Sequence, residues 1–172
     1  MIHPKVRLRA IEPEDLDTLY KIENDRALWR IGPTNVPYSR FALHQYIEDS
    51  TNDIYIDKQV RLMIDNEDGE TVGIIDLMNF SPQHKRAEVG IVIMVPFRKQ
   101  GYGTAALSEL IVYVKEVLHL HQLYIVVSLE NSESVQLFTA QGFCQTAVLT
   151  DWLFDGNKYQ DAYLMQLFLR KS

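Results

Sequence analysis

The spacing of apolar and polar positions changes repeatedly along the chain, and each change marks a new element. Val6, Leu8 and Ala10 alternate with Lys5, Arg7 and Arg9, which reads as a strand exposed on one face. Glu12-Pro13-Glu14-Asp15 then puts proline at a first helical position with acids in the first turn, and Leu16, Leu19, Tyr20 and Glu23 continue at helical spacing. A second helix starts at Ser39, with Phe41, Leu43, Tyr46 and Ile47 as its apolar residues. From Val60 the alternation is again that of strands. Val60, Leu62 and Ile64 lead into Glu67-Asp68-Gly69-Glu70, where Asp-Gly supplies the positive φ of a tight hairpin. Val72 to Asn79 is the return strand, Ser81-Pro82 turns the chain, and Arg86 to Val95 completes an antiparallel meander.

Beyond Gly103 the helical period returns, with Leu107, Leu110, Ile111, Val114 and Leu118 on one stripe. Leu123 to Ser128 is a continuous apolar run, as expected of a strand buried on both faces. Ser132 to Ala140 is a shorter helix closed by Gly142, and Cys144 to Phe154 with Lys158 to Phe168 forms a hairpin around Asp155-Gly156-Asn157. The predicted order is βαα-βββ-α-β-α-ββ.

Composition narrows the class. A chain of 172 residues, 47% of them hydrophobic, is long enough to bury a core and short enough for one globular unit, and no repeat or linker-like tract divides it. The longest apolar runs fall far below the roughly 20 residues of a membrane span, and the N-terminus mixes charge with apolar residues where a secretory segment would not. The cytoplasm is the expected location. A net charge of −6 argues against nucleic acid and mildly favours cationic partners. Trp29, Trp152 and the tyrosines have no basic stripe beside them and read as packing residues. The single cysteine, Cys144, is expected to be a small buried hydrophobe. His119-x-His121 has metal-like spacing but no evident third ligand, so no metal is expected.

The chemistry concentrates at Arg98-Lys99-Gln100-Gly101-Tyr102-Gly103-Thr104. Alone, this stretch fits a dinucleotide fingerprint, another pyrophosphate cradle, or an unliganded glycine turn at a helix entry. The dinucleotide reading wants its first glycine directly after a strand and an acid about 20 residues on. Here five residues, Pro96 to Gln100, intervene, the first acid beyond the next strand is Glu130, and the preceding strand belongs to an antiparallel meander. A triphosphate loop lacks its Gly-Lys-Ser/Thr. A cradle of backbone N–H groups at a helix start remains, with the helix dipole, Arg98 and Lys99 favouring an anion and the glycines letting it approach the amides.

Arg98-x-x-Gly101-x-Gly103 resembles the Arg/Gln-x-x-Gly-x-Gly/Ala loop of the GNAT superfamily of acetyl-CoA-dependent N-acetyltransferases. Glu130-Asn131-x-x-Ser134, followed by Phe138 and Gly142-Phe143, is similar to that family's ENxxSxxxYxxxGF segment. Lys85-Arg86-Ala87-Glu88 and the hairpin from Trp152 to Tyr159 resemble the spermidine/diamine N-acetyltransferases and the ribosomal-protein N-terminal acetyltransferases. The resemblance implies an α/β (α+β) fold: a single domain over residues 1–172 whose mixed, mostly antiparallel sheet of about seven strands is flanked by helices. It also implies acetyl transfer to a primary amine by direct attack, the acceptor being a small amine such as a polyamine or diamine, or a protein N-terminus or lysine. No nucleic acid, membrane or metal is implied, and a homo-oligomer is left open.

By the same resemblance, Arg98, Lys99, Gln100, Gly101, Tyr102, Gly103 and Thr104 hold the pyrophosphate. Pantetheine pairs like an extra strand with the backbone of Ile91, Val92 and Ile93, where the third and fourth long strands splay apart. Asn131 bonds pantetheine or caps the short helix, and Ser134 and Phe138 complete the cofactor segment. Glu88, on one face with Gly90 and Val92, is the first candidate base; its alternative is an ion pair with Lys85 or Arg86. Asp76, interrupting an apolar strand, is the second, or it binds a substrate cation. Two departures stand out. Phe138 occupies the place of a tyrosine that protonates the leaving thiolate, so Ser134, Tyr124 or a water takes that role, or the protein is a catalytically weak acyl-CoA-binding module. Residues Gly32 to Tyr38 lack the adjacent acids of polyamine enzymes, and Glu48, Asp49, Asp53 and Asp57 read as solvated charges.

Overall fold

The computed structural model describes residues 2–29 and 34–170. Strand β1 (Val6–Ala10) runs through a 3₁₀ turn (Pro13–Asp15) into α1 (Leu16–Glu23). Helices α2 (Arg26–Trp29), α3 (Arg40–Asp49) and α4 (Ile54–Asp57) precede the meander β2 (Val60–Asn66), β3 (Thr71–Ser81) and β4 (Arg86–Ile93). Then come α5 (Tyr102–Glu116), β5 (Gln122–Ser128), α6 (Ser132–Ala140), β6 (Cys144–Phe154) and β7 (Tyr159–Phe168). The predicted order holds. The single-turn helices α2 and α4 are additions, too short for an apolar period to announce them.

Local chemistry explains where helices begin. Asp15 accepts from the Glu12 amide at 2.8 Å and closes a capping box, and Ser39 Oγ accepts from the Ala42 amide at 3.0 Å at the start of α3. Asp53, read from sequence as a solvated charge, caps α4 by accepting from the Tyr55 amide at 2.8 Å. Phe41 departs from its expected role: its side chain faces outward at 71% exposure, while Leu43 carries the buried stripe of α3.

The strands form one sheet in the order β1-β2-β3-β4-β5-β7-β6. All neighbours are antiparallel except β4 and β5, which pair in parallel only over Arg86–Glu88 with Gln122–Tyr124. Past Glu88, β4 stays on β3 as far as Ile93, whereas β5 follows β7 as far as Ser128. The two strands therefore part, and a cleft opens between them.

Alternation along the strands builds a core on each face. On one face Ile75, Leu77, Ala87, Val89 and Leu123 pack with Leu107 and Leu110 of α5 and Phe138 of α6. On the other, Met63 and Ile74 pack with Leu19 and Ile22 of α1 and Leu43 of α3, joined by half-buried Val92. Leu107, Leu110 and Val114 are fully buried, each contributing about 1.5–3 kcal/mol. Two sequence expectations need correction. Strand β5 is not buried on both faces: Leu123 and Val127 are covered, while Tyr124 and Val126 are half-buried. Cys144 is exposed, because it opens the edge strand β6 and the residue turned inward there is Phe143.

Candidate active site

At the head of α5 the backbone is set by conformations that few residues accept. Lys99 has φ +60° and Gly101 φ +89°, both left-handed. Ala105 is the first α5 residue to donate back, to Gly101 O at 3.0 Å, which leaves the earlier amides of the turn free of intrahelical partners. With the positive end of the helix dipole, these amides are suited to an anion. The side chains around it are partly committed elsewhere. Arg98 Nε donates to Ile93 O at 2.9 Å, Gln100 Nε2 donates to Pro96 O at 2.8 Å, and Lys99 pairs with Glu133 at 3.4 Å across exposed surface. Tyr102 packs edge-on against Phe97 at 6.1 Å.

The two glycines do different work from that expected. A Cβ on Gly101 would stand 2.9 Å from Pro4 Cδ, on top of the strain of its φ. A Cβ on Gly103 would turn inward to ordinary contacts, 3.5 Å from Leu137 and 3.7 Å from Ile93. Room for a ligand is therefore not what requires glycine at position 103. A left-handed alanine costs roughly 1–2 kcal/mol. Gly101→Ala is accordingly expected to weaken acetyl-CoA binding by about 5–30-fold in calorimetry as the loop relaxes away from its geometry. Gly103→Ala should leave that affinity within about twofold.

Along the cleft, Ile91, Val92 and Ile93 are paired with β3 on one edge and, among the described residues, carry no strand partner on the edge facing β5. Gly73, which sequence reasoning passed over, makes this pairing feasible: a Cβ there would fall 2.2 Å from Val92 O. A glycine inside a strand pattern was the available signal.

At the apex of the splay Glu88 faces the α1 side, and its Oε2 accepts from Asn79 Nδ2 at 2.6 Å. No ion pair with Lys85 or Arg86 forms among the described residues. Asn79, at φ +48° in an irregularity between β3 and β4, was also missed by sequence reasoning. Directly across the parallel pairing from Glu88 stands Tyr124. Burial pushes the Tyr124 hydroxyl pKa up and the Glu88 carboxylate adds to this, against smaller opposing effects of Arg86 and Asn79.

Asp76 lies on the same sheet face but is already engaged. Arg61 Nε and Nη2 donate to its two oxygens, each at 2.9 Å, while Arg61 Nη1 donates to Glu23 at the end of α1. Burial works against the Arg61 charge, and Asp76 and Glu23 overcome it, so its pKa is raised. The carboxylate that sequence reasoning offered as a second base is thus the partner of a buried guanidinium.

On α6, Asn131 Oδ1 accepts from the Ser134 amide at 3.2 Å, which is the capping alternative. Phe138 is a correction. Expected beside the cofactor, it is fully buried and meets Phe143 edge-on at 5.0 Å. A hydroxyl added there would be buried in an apolar core, and leaving one unpaired costs about 1–3 kcal/mol. Phe138→Tyr should lower the unfolding free energy by about that amount in urea titrations without raising turnover. His119 and His121 lie on the α5–β5 connection, where His121 meets Phe168 at 5.7 Å. Of the uncharged stretch 32–38, residues 32 and 33 lie outside the described residues.

Free amides at a helix head, a cleft where two parallel strands part and a carboxylate at its apex are the parts an acyl-transfer enzyme needs. The acetyltransferase (GNAT) domain model matches residues 5–144, and the chain belongs to that family. The spermidine N(1)-acetyltransferase of Escherichia coli K12 is 28% identical over 163 residues, covering 95% of this chain and 86% of the relative. An N-alpha-acetyltransferase of Sulfurisphaera tokodaii is 30% identical over 169 residues, covering 92% and 90%. In fold, the chain matches spermidine N-acetyltransferase from Vibrio cholerae in complex with CoA and spermine, with a TM-score of 0.86, 23% identity and 96% of each chain covered. Among the described residues no helix is long and apolar enough to cross a membrane.

Proposed function

We propose that the protein transfers the acetyl group of acetyl-CoA to a primary amine of a polyamine, by direct attack in a ternary complex. The observation that carries this reading is Glu88 at the apex of the cleft, on the face covered by α1 and α3, where an ammonium can lose its proton next to the thioester. Residues 98–104 hold the pyrophosphate, and the free edge of Ile91, Val92 and Ile93 receives pantetheine. The polyamine assignment is supported by whole-length similarity to the spermidine acetyltransferases, and a net charge of −6 favours a cationic acceptor over an anionic one.

A protein N-terminus is the second reading, supported by the 30% identical N-alpha-acetyltransferase. A binding module without turnover has no support among the relatives, which are named as acetyltransferases. Steady-state release of free CoA from acetyl-CoA, measured with spermidine, spermine and N-terminal peptides in turn, tests the proposal. Polyamine-dependent thiol release is expected; release with peptides alone points to the second reading, and saturable binding without release refutes both. We extend the proposal to self-association, as the Vibrio cholerae enzyme has a dodecameric structure and the β6–β7 hairpin here exposes Trp152, Phe154 and Tyr159.

A further inference from the structure

With Phe138 in the core, the thiolate that departs from acetyl-CoA lacks the proton donor expected on α6. We propose that Tyr124 of β5 supplies that proton. The proposal rests on the acetyl-transfer reading above and adds a catalytic residue to it.

Tyr124 belongs to the last β4–β5 pair before the strands part, so it is the first β5 residue at the mouth of the cleft. Its neighbours Leu123 and Val127 are buried toward α5, which by strand alternation turns Tyr124 to the face of Glu88. Phe138 offers no proton, and Ser134 is engaged through its main-chain amide with the Asn131 cap.

The Asn79 amide can then set the direction of the Tyr124 proton. The Asn79 amide carries two N–H groups. One is donated to Glu88 Oε2 at 2.6 Å, and the second is left for the phenol oxygen of Tyr124, which stands across the strand pair from Glu88. An oxygen that accepts from Asn79 keeps its own O–H for another partner. Burial and the Glu88 charge hold the phenol protonated at neutral pH, with Arg86 the opposing charge nearby.

Glu88 takes the ammonium proton and passes it to solvent. The amine nitrogen bonds to the thioester carbonyl carbon as the C–S bond breaks. The second N–H proton follows through Glu88, sulfur takes the Tyr124 proton, and the phenolate regains one from solvent. One amide, one thiol and one released proton result.

Tyr124→Phe tests this, since it removes one oxygen and little else. A thiol of pKa about 8.5 leaves tolerably as its anion. The expected loss in kcat is therefore about 10²-fold, the low end for general acid catalysis. The KM for amine and the calorimetric affinity for acetyl-CoA should stay within about twofold. The solvent deuterium isotope effect on kcat should shrink toward unity in the variant, which a packing role would not produce. An unchanged kcat overturns the proposal, as does a fall in kcat that keeps the full isotope effect or comes with lost acetyl-CoA binding. Absence of amine-dependent CoA release by the unmodified enzyme would instead refute the functional reading itself.

Discussion

Glu88→Gln is expected to lower kcat for amine acetylation by about 10²–10⁴-fold, the usual worth of a positioned base. Acetyl-CoA affinity should hardly change. The substitution keeps the side chain's shape and its capacity to accept from Asn79, so the loss isolates proton acceptance. A primary amine with a pKa near 10.4 is almost wholly protonated at neutral pH and cannot attack until the proton leaves. The deficit should therefore narrow as the assay pH rises toward about 10 and the amine deprotonates unaided. Initial rates across that range, with saturating acetyl-CoA, provide the check. A loss that stays constant with pH would assign Glu88 to positioning.

The second large effect is on stability. Asp76→Ala should reduce the unfolding free energy by about 3 kcal/mol, the lower part of the 3–5 kcal/mol range for breaking a buried ion pair. The lower value is chosen because Arg61 keeps Glu23 and is not wholly shielded: the side chains of Arg61, Asp76 and Glu23 are 20%, 14% and 18% exposed. Alanine leaves the guanidinium facing an apolar sheet with half its partners. Arg61 also lies 5.8 Å from the Tyr46 ring of α3, so the charge ties α1 and α3 to the sheet they cover. Replacing both partners, Arg61→Met with Asp76→Leu, should recover most of the loss, because similar apolar volume in place of a buried pair is often neutral or stabilising. Urea midpoints of the single and double variants decide this. If the double variant is as unstable as Asp76→Ala, the loss does not come from an orphaned charge.

Much of this architecture was legible because most elements bury one face and advertise it by period. The meander, the stripe of α5 and the Ser39 cap needed only local rules. What was not legible depends on partners distant in sequence. Asp76 looks costly on its strand until Arg61 is placed beside it, 15 positions away, and no local pattern links them. Phe138 and Cys144 misled for the opposite reason: their neighbours suggested roles that the core and the sheet edge reverse. The splay between β4 and β5 follows from where two strands stop pairing, which alternation along either strand cannot encode. It was the resemblance to acetyltransferases that anticipated it. Asn79 gave no warning, since a polar residue at a strand end is ordinary until its φ and its bond to Glu88 are seen.

The central claim is that free amides at the head of α5 grip the diphosphate of coenzyme A. Isothermal titration of acetyl-CoA into the folded protein tests it most directly, with acetyl-pantetheine, which lacks the diphosphate, and a nicotinamide dinucleotide as controls. The account predicts saturable one-to-one heat with acetyl-CoA and much weaker binding of both controls. Equal affinity for acetyl-CoA and acetyl-pantetheine, or heat from the dinucleotide alone, would contradict it.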